Sequence, residues 1–386
     1  MENTPYLYDT LVQVLRQHRN WRDLRHLKTL AWMMVGLIHA GSMSLCAWAP
    51  YVVSRAWYSQ STVRRFRRWL DNDRIDVHAL DGPLMHQALI GWVDKTLYVA
   101  LDTSLLWNTS CLVRLSVIYR GRAVPLVWCV IEHPGAAVAY EEYQRLLEKA
   151  ATLVPFGCKV VLLAERGFSD TELLRHLKRL GWHCRIRIKA NFWIDRPGHG
   201  GLQVRDISLA CGQARFWQGV FLTLKRFGPV HLAVARPLAS DEYWYVISDE
   251  PTDVQSLEEY GLRFGIAENF LDDKSTGFQL ESSLLRSAEA PERLCFVLAM
   301  TTLSLVSVGT AVVQQGQRRL VDPHWFRGTS YLKIGWKWVS YALSRGYELI
   351  SGVYLSSACD PEPAMASKKQ DRLRQYRFAF EQQEAA

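Results

Sequence analysis

Thr96–Asp102 reads TLYVALD and Lys159–Glu165 reads KVVLLAE, and these two stretches decide the fold. Each is a run of apolar and β-branched residues closing on a carboxylate, the composition of a buried strand. Between them, Cys111–Tyr119 (CLVRLSVIY) and Ala123–Ile131 (AVPLVWCVI) are separated by short polar or glycine-containing breaks. Three successive strands are therefore expected as an antiparallel meander. A helix over Ala139–Leu153 follows, then the Lys159–Ala164 strand. A second helix begins after Ser169, where Ser169 and Glu172 form a capping box, and Trp182–Lys189 reads as a fifth strand.

Strand, strand, strand, helix, strand, helix, strand is the order of a ribonuclease H-like core, a mixed α/β unit whose first and fourth strands lie side by side. Asp102 and Glu165, at the ends of those two strands, then become neighbours. Paired carboxylates so placed suit two hard divalent cations, which activate a water or 3′-hydroxyl and stabilise the leaving oxygen of a phosphodiester. A single strand-end Asp is more often a turn former; two at these topological positions are more specific.

Upstream, residues 1–92 carry helical apolar spacing, with Leu24, Leu27, Leu30, Ala31, Met34 and Leu37 as one stripe. Ser61 and Thr62 are candidate caps for a helix that places Arg64, Arg65, Arg67 and Arg68 around Phe66, Trp69 and Leu70. Such a helix suits phosphates; the plainer account is a solvated basic face. The whole chain, 386 residues with 46 Lys and Arg against 38 Asp and Glu, has a net charge of +8 and favours an anionic partner. The eight cysteines are scattered without a C-x-x-C pair and read as reduced thiols of a cytosolic protein. Met1–Arg19 lacks the basic start and apolar core of a signal peptide. Leu294–Val313 is long and uncharged enough to cross a bilayer, but it carries several Ser and Thr and has no companion span. It is expected to be a buried helix, with no membrane partner.

Downstream, residues 192–252 alternate as strands at Val220–Phe227, Val230–Ala235 and Tyr243–Ile247, a β-rich insertion carrying Trp193, Trp217 and Trp244. Beyond it, Tyr260, Arg263, Ala267 and Lys274 recur at offsets of 3, 4 and 7 residues. At about 100° per residue they share one helical stripe, and a methyl group stands where a carboxylate would make chemical sense. Glu268 is rotated to another face, and Asp272 lies off to one side. Leu332–Leu343 reads as a further helix, and the tail Lys368–Arg377 is basic.

With L-D-T-S at Leu101–Ser104, A-E-R-G-F at Ala164–Phe168, the Tyr-Arg-Lys stripe and K-S-T-G-F at Lys274–Phe278, the sequence resembles the DDE transposases of bacterial insertion sequences. The group it resembles carries its third acid in a Tyr-x-x-Arg-x-x-x-Glu-x-x-x-x-x-x-Lys signature. The resemblance implies a helical DNA-binding module (1–92), a ribonuclease H-like core (93–191 and 253–290) interrupted by the β-rich insertion (192–252), and a C-terminal helical region (291–386). Asp102 matches the first catalytic Asp, Glu165 stands for the second Asp, and Ala267 stands for the Glu. Tyr260, Arg263 and Lys274 are implied to contact DNA near the cleaved strand, and Trp217 is the candidate to stack on a flipped base if excision passes through a hairpin. Also implied are Mg²⁺ (or Mn²⁺) held by Asp102 and Glu165, double-stranded DNA as partner, a synaptic homodimer, and a cytoplasmic, nucleoid-associated protein. Glu for Asp at 165 extends the carboxylate by about 1.5 Å, one C–C bond, and Ala267 removes a shared ligand altogether. Two functions compete: a metal-dependent transposase that nicks and joins DNA ends, and a transposase-derived DNA-binding protein or regulator with a disabled centre. A ribonuclease H-like nuclease of another kind would lack the Tyr-Arg-Lys stripe.

Overall fold

Five helices open the chain: α1 (Thr4–Arg16), α2 (Leu24–Ala40), α3 (Leu45–Trp48), α4 (Ser59–Leu70) and α5 (Val77–Leu89). The computed structural model describes residues 4–17, 21–107, 109–196, 200–222, 226–238, 242–283, 289–364 and 381–383. The expected stripe of α2 is its buried face except for Leu24, which is exposed. Asp23 caps this helix by accepting the Arg25 N–H, and Gly41 ends it in the left-handed conformation (φ 62°). α4 begins two residues before the expected caps Ser61 and Thr62, with Tyr58 in the cap position and no side-chain cap bond. Phe66, Trp69 and Leu70 turn inward, and Trp69 Nε1 donates to His26 O at 3.0 Å.

Next come β1 (Thr96–Leu106), β2 (Ser110–Tyr119), β3 (Arg122–Glu132), α6 (Tyr140–Leu153), β4 (Lys159–Ala164), α7 (Thr171–Leu180) and β5 (His183–Arg187), the element order expected. β1 pairs antiparallel with β2 and parallel with β4; β2 pairs antiparallel with β3, and β4 parallel with β5. The first and fourth strands therefore lie side by side. β2 is buried along its whole length, which is why its sequence runs apolar without alternation. The cap of α7 is Asp170, which accepts the Glu172 N–H at 2.9 Å, and not Ser169, whose hydroxyl donates back to Arg166 O.

The strands of the 192–252 segment are β6 (Trp193–Arg196), β7 (Gly200–Gln203), β8 (Gln213–Leu222), β9 (Phe227–Ala235) and β10 (Trp244–Ser248). They do not build a separate sheet. β10 pairs antiparallel with β5, and the order runs β3-β2-β1-β4-β5-β10-β9-β8-β6-β7, with β11 (Glu381–Gln383) beside β8. The strand expected at Val220–Phe227 lies earlier, as β8, because Phe227 already opens β9 and the β8–β9 register shifts around Gly219, at φ 68°.

α8 (Val254–Gly261), α9 (Phe264–Leu271) and a π-helical turn (Asp272–Thr276) cross one face of the sheet, followed by α10 (Glu289–Gln314) and α11 (Tyr331–Arg345). The Leu294–Val313 run lies within α10, and its apolar window is wholly buried inside the protein. The basic tail Lys368–Arg377 lies outside the described residues. α10 and α11 approach through two glycines. A Cβ on Gly335 would fall 1.9 Å from Leu305 O, and one on Gly309 would fall 2.0 Å from Tyr331 O. Backbone cannot yield as a side chain does. Gly335→Ala is therefore expected to destabilise the protein by about 3 kcal/mol or more in urea unfolding, whereas Gly352→Ala, which meets nothing within 4 Å, changes stability by less than about 0.5 kcal/mol.

Candidate functional site

Parallel pairing of β1 and β4 ends at Leu101↔Ala164, so Asp102 and Glu165 are the next residues on neighbouring strands. Asp102 does not close its strand as expected. β1 continues to Leu106 because β2 keeps pairing with it, and Asp102 stands opposite Arg114. Glu165 is the first residue past β4 and heads a 3₁₀ turn at Arg166–Phe168. Between the two acids lies the Arg263 guanidinium: Nη1 donates to Asp102 Oδ2 at 3.2 Å, and Nη2 is 3.9 Å from Glu165 Oε2. The remaining Asp102 oxygen accepts the Thr103 N–H at 2.8 Å. Burial pushes the Asp102 carboxyl up to about 6, with Arg263 pulling the other way and Glu165 adding to the rise. The Glu165 side chain remains 44% exposed.

The helix supplying Arg263 is not the continuous one expected. α8 ends at Gly261, and short i→i−3 bonds (Leu262 N–H to Glu259 O, Arg263 N–H to Tyr260 O, Gly265 N–H to Leu262 O) tighten the chain before α9. The Tyr-Arg-Ala-Lys stripe is therefore split over three pieces. Tyr260, on α8, is 1% exposed, with its ring edge-on to Trp244 at 5.3 Å and the Arg263 guanidinium 6.0 Å away; burial pushes the phenol up. It faces the interior. Ala267 is half-buried on α9, one turn beyond Arg263. Lys274 lies in the π-helical turn, where its ammonium donates to Leu105 O at the end of β1 and sits 3.4 Å from Glu281.

The other acids of this segment are engaged elsewhere. Glu268 pairs with Arg122; Asp272 lies 3.3 Å from Arg122 Nε and 3.8 Å from Lys333; Asp273 pairs with Arg114 at 2.7 Å. Neither Glu268 nor Asp272 thus replaces the missing carboxylate. Arg114, buried in the middle of β2, also donates to Asn269 and lies over the Phe270 ring at 4.3 Å, pinning α9 to the sheet. Arg185 of β5 does the same for α8 by bonding Glu259, which also accepts from Tyr98 on β1. Sequence reasoning missed Arg114 and Arg185, although the signal was present: an arginine inside an apolar strand needs a buried partner. Among the described residues no group of three or more His, Cys, Asp or Glu side chains is placed to hold a metal ion. The two-metal expectation does not fit these residues, since a guanidinium already serves the acid pair and the third position is a methyl group.

Beside Glu165 opens a cleft of about 460 Å³ walled by Thr103, Ala136–Val138, Arg166–Phe168 and Lys189. Arg166, which lies 3.7 Å from Glu242, and Lys189 bring cations to a cleft that Glu165 also lines. Trp217 is not brought there. It is half-buried on β8, packed against the core, and three strands separate β8 from β4, about 19 Å at about 4.8 Å per strand. On α4, Arg64, Arg67 and Arg68 are exposed, whereas Arg65 is half-buried beside Phe66 and its basicity is lowered by burial.

No family model matches the chain, and no curated protein matches it. Among solved structures it is similar to the piggyBac transposase, seen by cryo-EM in a synaptic complex with hairpin DNA. The TM-score is 0.43 at 11% identity, covering 90% of this chain and 75% of that one.

Asp102 makes a pH-dependent contribution whose sign is fixed. Asp102 holds its proton to higher pH in the folded chain, near 6, than in the unfolded chain. Its stabilising contribution is complete below the unfolded value and is lost as pH rises to about 6. Relative to Asp102→Asn, the wild type should lose about 2 kcal/mol between pH 4 and 6.5 in urea unfolding. Arg263→Gln removes the cation that opposes the shift, and a carboxyl ¹³C titration should then place Asp102 higher still.

Proposed function

We propose that the chain is a DNA-binding protein of the DDE transposase type, with a ribonuclease H-like core, that grips the terminal inverted repeats of an insertion sequence as a homodimer and does not cut them. One observation carries this reading: Arg263 lies between Asp102 and Glu165 while Ala267 occupies the position of the third acid. Grip rests on exposed cations that meet phosphate without base readout: Arg64, Arg67 and Arg68 of α4, with Arg166 and Lys189 at the cleft. Tyr260 sets the position of Arg263 from inside the protein, and Lys274 holds the end of β1. Mg²⁺, with Mn²⁺ as substitute, belongs to the cleaving form of such a centre, which here lacks a carboxylate. On this reading the protein resides with chromosomal DNA in the bacterial cytoplasm.

A metal-dependent transposase that still cuts is the second reading, favoured by the half-exposed Glu165 carboxylate facing the cleft.

Gel shift and cleavage on DNA carrying the element's two ends separate the two. The wild type is expected to bind and leave the DNA intact in Mg²⁺ and in Mn²⁺, and Ala267→Glu, alone or with Glu165→Asp, to gain strand cleavage. Equal cutting by wild type and Ala267→Glu would sink the non-cutting reading. Arg67→Ala and Arg68→Ala should each weaken binding uniformly across sequences and lower the salt slope by about 1.

A further inference from the structure

We propose that the loop Val53–Tyr58 is a stacking platform for an unpaired DNA base, set beside the phosphate-holding arginines of α4. This rests on the DNA-binding reading above and adds a structural class of DNA to it.

Three apolar side chains of this loop stand in solvent: Val53 is 60%, Trp57 91% and Tyr58 71% exposed. Trp57 is the most exposed of the chain's 15 tryptophans. Every residue from Val53 to Ser61 is exposed, and the remaining members are Ser54, Arg55, Ala56, Ser59, Gln60 and Ser61. The loop is defined rather than adrift: Val52 N–H donates to Ala49 O at 3.3 Å, and Ser61 N–H donates to Tyr58 O at 3.0 Å, feeding Trp57 and Tyr58 directly into α4. α4 itself is fixed, with Phe66 edge-on to Trp48 at 5.9 Å and Trp69 stacked against Phe296 at 6.3 Å.

Charge identifies the occupant. No Asp or Glu occurs between Asp23 and Asp71. Arg55, Arg64, Arg67 and Arg68 form no ion pair among the described residues. Arg64 and Arg68 stand one helical turn apart on the solvent side. A flat aromatic surface beside unpaired guanidiniums matches a nucleotide, whose base offers a π-face and whose phosphate offers the anion. Inside an intact duplex both faces of a base are covered by its neighbours. The base that Trp57 can take is therefore one already out of the stack, at a bulge, a mismatch or a melted end.

The test uses the full chain and two short duplexes, one fully paired and one with a single-base bulge of 2-aminopurine, followed by anisotropy and 2-aminopurine fluorescence. The expected result is about tenfold tighter binding to the bulged duplex, the order of one base–aromatic stack, with quenching of the bulged base. Trp57→Ala should lose the preference and the quenching while binding paired DNA within about twofold of wild type. Trp57→Phe should retain both, and Arg64→Ala with Arg68→Ala should weaken both duplexes equally. Preference and quenching that survive in Trp57→Ala, or paired binding with no base preference in the wild type, overturn the platform while leaving the DNA-binding reading in place. Failure to bind either duplex removes both. Binding to phosphatidylserine-containing vesicles that Trp57→Ala abolishes, without any base preference, assigns the loop to a membrane surface and overturns the proposal.

Discussion

Parallel pairing of β1 with β4 forces Asp102 and Glu165 into adjacent positions on one edge of the sheet, and the Arg263 guanidinium is what makes that adjacency tolerable. Two like charges on neighbouring strands repel, and burial of Asp102 adds a desolvation cost. A tethered cation opposes both without any ion from solution, though burial still holds the Asp102 carboxyl up at about 6. The surrounding architecture serves its placement. The tightened turn after Gly261 aims Arg263 at the acids, and the absence of a side chain at Gly265 lets α9 settle on the sheet: a Cβ there would lie 2.9 Å from Arg122 O. The buried Arg114–Asp273 pair, at 2% and 1% side-chain exposure, locks the far end of the same segment. Removing one member of such a pair strands a charge in the interior, typically at a cost of about 3–5 kcal/mol, so segment and sheet are held in one register.

Legibility in the sequence followed the range of the interaction concerned. Strand β4 fell where Lys159–Ala164 reads as a short uniform apolar run, and α10 where twenty uncharged residues leave no room for a break. The order of the first five strands, and hence the meeting of Asp102 with Glu165, followed from short connections and element alternation. Caps slipped by one or two residues because adjacent polar residues offer nearly equivalent bonds, as Ser169 and Asp170 do. Joining of the 192–252 strands to the edge of β5 was not legible, since the alternation of a strand names its faces and not its neighbour. The broken helix was hidden for a related reason. Periodicity places Tyr260, Arg263, Ala267 and Lys274 on one stripe, but Gly261 and Gly265 weaken the helix there, and packing on the sheet favours two shorter segments and a π-helical turn.

On the DNA-binding reading proposed above, holding DNA and cutting it would depend on different groups. The exposed arginines of α4 would act through charge and reach, whatever stands at position 267. The acid pair acts only through geometry, and a third carboxylate cannot be borrowed from Glu268, Asp272 or Asp273 because each balances a cation that anchors α9. Turning Asp273 toward Asp102 would leave Arg114 without its counter-charge, and turning Glu268 or Asp272 would leave Arg122 with one carboxylate instead of two. A phosphodiester approaching two bare carboxylates meets repulsion unless a cation intervenes. In a centre with its full set of acids the intervening cation comes from solution. Here Arg263 stands between Asp102 and Glu165 instead, and among the described residues no group of three or more His, Cys, Asp or Glu side chains is placed to hold a metal ion.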